Sequence, residues 1–90
     1  MKVTVLGSHL CPDTLAALND LHAANVAVDF KDMMSCHADL RVYLKLRDSN
    51  ALYANIRGTE RLGIPCFILE DGNITLELAE ILKLAKKGEQ

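Results

Sequence analysis

Four consecutive residues, Cys11, Pro12, Asp13 and Thr14, set a thiol beside a helix-starting proline, a carboxylate and a hydroxyl. Such a set suits nucleophilic sulfur chemistry. Residues 2–6, KVTVL, lead into it as an alternating β-branched strand. A helical pattern begins at Pro12, which fits the first helical position because its missing N–H is not needed there. Cys11 therefore stands at the cap of a helix. Free backbone N–H groups and the positive end of a helix dipole favour a thiolate over a thiol at such a place, and the thiolate is the nucleophile. Thr14 follows three residues on, where its hydroxyl can donate a hydrogen bond to the sulfur; it cannot form a disulfide. Asp13 acts both ways, since a carboxylate opposes a neighbouring thiolate but suits a helix N-terminus. Cysteine is also a common small apolar residue in turns.

A second group lies far along the chain. GIPC at 63–66 puts Pro65 directly before an apolar run that must be a central strand, where proline rarely stands without a special reason. Cys66 follows it. Strand alternation turns Cys66 either toward Cys11, as a resolving thiol, or into the core, where cysteine is common. Cys36 and His37 fall between strand two and helix two, near the same end of the sheet as His9 and Cys11. Zinc uses such residues, but their spacing matches no standard motif, and no metal site is expected. Arg47, Arg57 and Arg61 flank the site in sequence; Arg47 is the first candidate to meet a substrate carboxylate.

The elements that must position these residues are legible along the 90 residues, a length that suits one domain. After the first strand, residues 12–24 carry Leu15, Leu18 and Leu21 at helical spacing, and Asn25 suits the helix C-terminus. VAVDF, 26–30, reads as a second strand. Residues 37–48 form a second helix, with Ser35 or Asp39 as candidate cap, and 50–57 a short extra helix with Leu52 and Ile56 at i, i+4. CFILE, 66–70, is a third strand. Asp71-Gly72 signals a hairpin into a short fourth strand, 73–75. Residues 76–87 close the chain as an amphipathic helix with Leu78, Ile81, Leu82 and Ala85 on one face. The order β-α-β-α-β-β-α makes an α/β domain. Its first two strands are parallel and its last two antiparallel.

Composition limits the partners. The chain is 50% hydrophobic but only 4% aromatic, so Leu, Ile, Val and Ala must build the core. A formal net charge of -2, with Lys and Arg scattered, argues against nucleic acid. MKVTVLG does not read as a signal peptide, and no apolar run approaches the roughly 20 residues of a membrane span. A soluble, cytoplasmic chain is expected, in which three cysteines do not form a structural disulfide framework.

CPDT at 11–14, GIPC at 63–66 and the Asp71-Gly72 hairpin before the last helix together resemble a glutaredoxin-related protein over nearly the whole chain. YLKLRDS and RLGIPCFILEDG are similar to a small bacterial group of uncharacterised glutaredoxin-like proteins. The resemblance implies a thioredoxin-like (glutaredoxin) fold, a four-stranded mixed sheet flanked by helices. It implies a cis peptide before Pro65, which sets that loop against Cys11 and leaves the Ile64 backbone free for a peptide-like thiol substrate. It also implies reduction of disulfides or glutathione mixed disulfides by a monomer that holds no bound cofactor and uses glutathione as co-substrate or acts on a protein thiol. Cys11 would be the nucleophile and Thr14 its hydrogen-bonding neighbour. Pro12, Asp13, Ile64, Pro65 and Arg47 would contact substrate. A motif ending in Thr has Cys11 attack alone, with a second glutathione resolving it. Two departures stand out. Ser8 and His9 replace the lysine that glutaredoxins usually carry before the cysteine. NITLELAE replaces their glycine pair and acidic pair before the last helix. A non-catalytic binding module and an iron-sulfur or metal carrier are the rival readings; in cluster-binding monothiol proteins Gly-Phe-Ser follows the cysteine, where this chain has Pro-Asp-Thr.

Overall fold

The computed structural model describes residues 1–88. The elements are β1 (Lys2–Gly7), α1 (Pro12–Ala23), β2 (Ala27–Asp32), α2 (His37–Ser49), a single 3-10 turn (Ala51–Tyr53), β3 (Cys66–Leu69), β4 (Ile74–Thr75) and α3 (Leu78–Gly88). They form an α/β structure with a four-stranded mixed sheet in the order β2-β1-β3-β4. β1 pairs parallel with β2 and antiparallel with β3, and β3 pairs antiparallel with β4. Among the described residues no helix is long and apolar enough to cross a membrane.

Alternation along the strands sorts side chains into two cores, one per face of the sheet. Val3, Val5 and Phe67 meet Ala17 and Leu21 of α1 and Ile81 and Ala85 of α3 on one face. Leu6 and Cys66 meet Met33, Tyr43, Tyr53 and Ile56 on the other. The register explains the match, because Val5 lies opposite Phe67 and Leu6 opposite Cys66.

Several boundaries differ from the expected ones, each for a local reason. β2 begins one residue late because the Val26 N–H still bonds to the Leu21 carbonyl (3.0 Å) in the turn that ends α1. Asn25 takes φ 59° in that turn, a left-handed conformation that asparagine tolerates. Cys36 caps α2, not Ser35 or Asp39; its sulfur accepts the Asp39 N–H at 3.5 Å. The helix expected over 50–57 shrinks to its 3-10 turn. Of the pair at i, i+4, Ile56 is buried and Leu52 is exposed. α3 starts at Leu78, not residue 76, because the Thr75 hydroxyl accepts the Glu77 N–H (3.0 Å) and holds the chain in a turn. On α1 the buried stripe is Thr14, Ala17 and Leu21, and Leu15 is exposed.

The inner face of α3 is testable. Ile81 is fully buried and Leu84 is 44% exposed. Ile81→Ala should cost about 2–5 kcal/mol of unfolding free energy in urea, and Leu84→Ala should stay within about 0.5 kcal/mol. Equal losses would contradict this facing of the helix.

Candidate thiol site

Three chain segments reach one edge of the sheet. β1 and the parallel β2 both end there, at Gly7 and Asp32, and β3 begins there at Cys66. The turn after β1 carries Cys11, the loop after β2 carries Asp32–Cys36, and the loop before β3 carries Pro65. Ligand chemistry gathers at such strand ends because the loops converge there.

Cys11 is the backbone cap of α1, with φ -97° and ψ 116°. Its N–H donates to the Ser8 carbonyl (3.0 Å) and its carbonyl accepts the Leu15 N–H (3.1 Å). The sulfur makes no capping hydrogen bond, in contrast to the expected contact with the helix N–H groups. It is half-buried and lines an open groove of about 340 Å³ with Ser8, Leu10, Met33, Met34, Leu62 and Ile64.

Thr14 is not the neighbour of the sulfur that its spacing suggested. It is fully buried, and its hydroxyl accepts the Ser8 N–H at 3.4 Å. Gly7 makes this possible: a Cβ there would stand 2.5 Å from Thr14 Oγ1. Thr14 thus packs the cysteine turn against the strand end and acts on Cys11 only through the backbone.

The loop across the groove is fixed from behind. The Ile64–Pro65 peptide is cis, as the resemblance implied. Tyr43 donates its hydroxyl to the Leu62 carbonyl and Tyr53 donates to Gly63 O at 2.8 Å. The two rings meet edge to face with centroids 6.2 Å apart. Gly63 has φ 71°, and a Cβ there would lie 2.6 Å from the Tyr53 ring, so only glycine fits. Arg47 completes the clamp. Its guanidinium donates to the Tyr43 hydroxyl (3.0 Å) and to the carbonyls of Arg61 (2.6 Å), Leu62 (3.3 Å), Ile56 (3.3 Å) and Thr59 (3.1 Å). The expected substrate role of Arg47 is thereby corrected, because both terminal nitrogens of its guanidinium already donate to the chain itself. Arg57 is spent likewise on the carbonyls of Arg47 and Asn50.

Asp32 organises the third loop. Its carboxylate accepts from His9 Nδ1 (2.6 Å), the His9 N–H (3.3 Å), the Met34 N–H (3.1 Å) and the Ser35 hydroxyl (2.7 Å). Burial alone would raise its pKa, but the bonds from Ser35, Met34 and His9 outweigh that and lower it from 3.8 to about 2. A carboxyl lowered in the folded state stabilises the fold above its ordinary pKa, and that contribution is lost as pH falls through the folded value. An NMR titration of the Asp32 carboxyl carbon should therefore show a midpoint near 2. A midpoint at the ordinary value would mean that these donors do not hold the carboxylate.

Cys66 points away from the groove, into the core under α2. It is fully buried beside Tyr53, and burial raises its thiol pKa against a weaker opposing effect of the Tyr53 hydrogen bond. Burial likewise pushes the Tyr53 phenol up, with Cys66 adding to the effect. The resolving role is corrected accordingly, since the strand phase turns this sulfur into the core. Cys36 is exposed. Brief alkylation of the native protein should label Cys11 and Cys36 and leave Cys66 unmodified until the chain unfolds; rapid native labelling of Cys66 would contradict its burial. Among the described residues no group of three or more His, Cys, Asp or Glu side chains is placed to hold a metal ion.

Leu10, Met34 and Leu62 line the groove and are not among the residues that the sequence pattern marks as functional. The available signal was apolar residues in loops directly beside Cys11, Asp32 and Gly63.

No family model matches the chain, and no solved structure matches it. A protein of Haemophilus influenzae, described as uncharacterized, is 32% identical over 80 residues, which span 89% of this chain and 93% of that protein. At that identity and coverage, the chain belongs to the same family as the Haemophilus influenzae protein.

Proposed function

We propose that this chain is a monothiol, glutaredoxin-like thiol-disulfide oxidoreductase that acts on disulfides or mixed disulfides. The observation that carries the reading is the shared groove. Cys11 and Ile64, the residue joined to Pro65 by the cis bond, line the same open cleft. The sheet order and the helices on its two faces are compatible with a thioredoxin-like fold.

In the proposed reaction the Cys11 thiolate attacks one sulfur of the substrate disulfide. A bond forms between Cys11 Sγ and that sulfur as the substrate S–S bond breaks. The electron pair leaves on the second sulfur, which takes a proton from water. An external thiol then attacks the Cys11 mixed disulfide, becomes disulfide-bonded to the substrate sulfur, and releases Cys11 as thiolate. Thr14 has no sulfur and Cys66 is buried, so neither resolves the mixed disulfide; in this reading the resolving thiol is external, with glutathione and a protein thiol as the two candidates. Among the described residues the Ile64 N–H and carbonyl have no hydrogen-bond partner. An extended substrate segment can pair with them as an added strand would.

Single-turnover reaction with a mixed disulfide tests the reading. Wild type and Cys36→Ser should react at comparable rates, and Cys11→Ser should fall to the uncatalysed background. A wild-type rate no higher than that of Cys11→Ser would reject thiol exchange and leave a binding module.

A further inference from the structure

Two grooves meet at the Ile64–Pro65 ridge, and their chemistries differ. The first runs from Cys11 between Leu10, Met33, Met34, Leu62 and Ile64, with no charged side chain in its lining. Leu10, Met34 and Leu62 are 67%, 55% and 51% exposed, so large apolar side chains stand in water beside the thiol. Methionine at such a rim adapts its shape to varied apolar partners. The second groove, about 400 Å³, lies along Pro65 between the start of α1 and the start of α3. Asp13 and Glu77 line it above an apolar floor of Phe67, Leu76 and Leu78, with no cation in the lining. Neither acid forms an ion pair among the described residues.

The two linings together favour an occupant other than glutathione. Glutathione brings one ammonium that suits Asp13 and Glu77, but its two carboxylates have no cation in the lining of either groove, and it has no bulky apolar side chain for the first. A side chain that fills the first groove must be apolar, and one that fills the second is best matched by a cation. The ridge between them carries the backbone of Ile64, unpaired among the described residues, which suits an extended chain.

On the basis of the thiol chemistry proposed for Cys11, we infer that its substrate is an extended protein segment whose disulfide-bonded cysteine is flanked by a bulky apolar residue on one side and Lys or Arg on the other. Burying one large apolar side chain is worth about tenfold or more in association. Each exposed ion pair adds about two- to fivefold, screened by salt.

Short peptides, each with one cysteine carried as a disulfide to 2-nitro-5-thiobenzoate, provide the test. Release of the yellow thiolate reports the bond formed between Cys11 and the peptide sulfur. The protein is used as Cys36→Ser, so that Cys11 is the one accessible thiol among the described residues; serine is also a good helix cap, so α2 keeps its start. Rates are divided by those of free cysteine with the same probe. Peptides with Leu and Lys on either side of the cysteine, in both orders, are compared with Glu-flanked peptides and with glutathione carrying the same leaving group. The better Leu/Lys peptide should react at least tenfold faster than the other two probes. High salt should weaken the Lys preference, Asp13→Asn with Glu77→Gln should erase it, and Leu62→Ser should lower the Leu preference. Equal normalised rates for all probes, with Cys11→Ser inert, would overturn the specificity while leaving the thiol chemistry intact. Reaction of Cys11→Ser as fast as its parent would reject that chemistry and the specificity with it.

Discussion

Everything at the Cys11 edge depends on where the chain between Ile56 and Pro65 is held. This segment has no strand or helix to satisfy its carbonyls, yet it runs beside a core that excludes water. Tyr43, Arg47 and Tyr53 hold it instead by donating to the carbonyls of Ile56, Thr59, Arg61, Leu62 and Gly63, through part-buried bonds at Ile56, Leu62 and Gly63 and exposed ones at Thr59 and Arg61. The donors sit on α2 and on the 3-10 turn that follows it, so the position of α2 against the sheet sets the position of Pro65. The Tyr53 ring leaves no space for a side chain at residue 63, which fixes the path of the loop as it enters the cis peptide.

The opposite wall of the groove is set by a close approach of the same kind. Gly7 ends β1 without a side chain, and Thr14 fills the space from the first turn of α1. The Gly7 carbonyl also accepts the Met33 N–H at 2.9 Å, which ties the loop after β2 to the same strand end. Asp32 then gathers His9, Met34 and Ser35 on one carboxylate. The half-buried thiol thus lies among three loops, each anchored to the sheet by its own contacts.

The pattern of strands and helices was legible because burial leaves period-two and helical spacing in the side chains themselves. Val3, Val5 and Leu6, the Asp71-Gly72 turn, and Ile81 with Ala85 all carry such marks. Pro65 was legible because its ring forbids an ordinary central-strand role. The functions of Thr14 and Arg47 were not legible. Arg47 chooses main-chain carbonyls, and every residue has one, so the sequence around its partners carries no signal. Thr14 shows the same limit from the side of packing. Its spacing from Cys11 was right for a hydrogen bond, but the space opened by Gly7 offered it burial instead. Cys66 required the strand phase, which the register Leu6↔Cys66 supplies.

The electrostatics of the edge follow from these internal commitments. Arg47 and Arg57 point their donors at carbonyls, and His9 is turned onto Asp32. Ser8, in the other position where a cation would help a carboxylate substrate, is buried with its hydroxyl accepting the Leu10 N–H. Arg47, Arg57 and His9 are thus engaged in holding its loops, while Asp13 and Glu77 form no ion pair among the described residues. The groove linings at this edge are consequently apolar beside Cys11 and acidic beside Pro65, and it is this division that leads us to propose an apolar, basic polypeptide over a small anionic thiol.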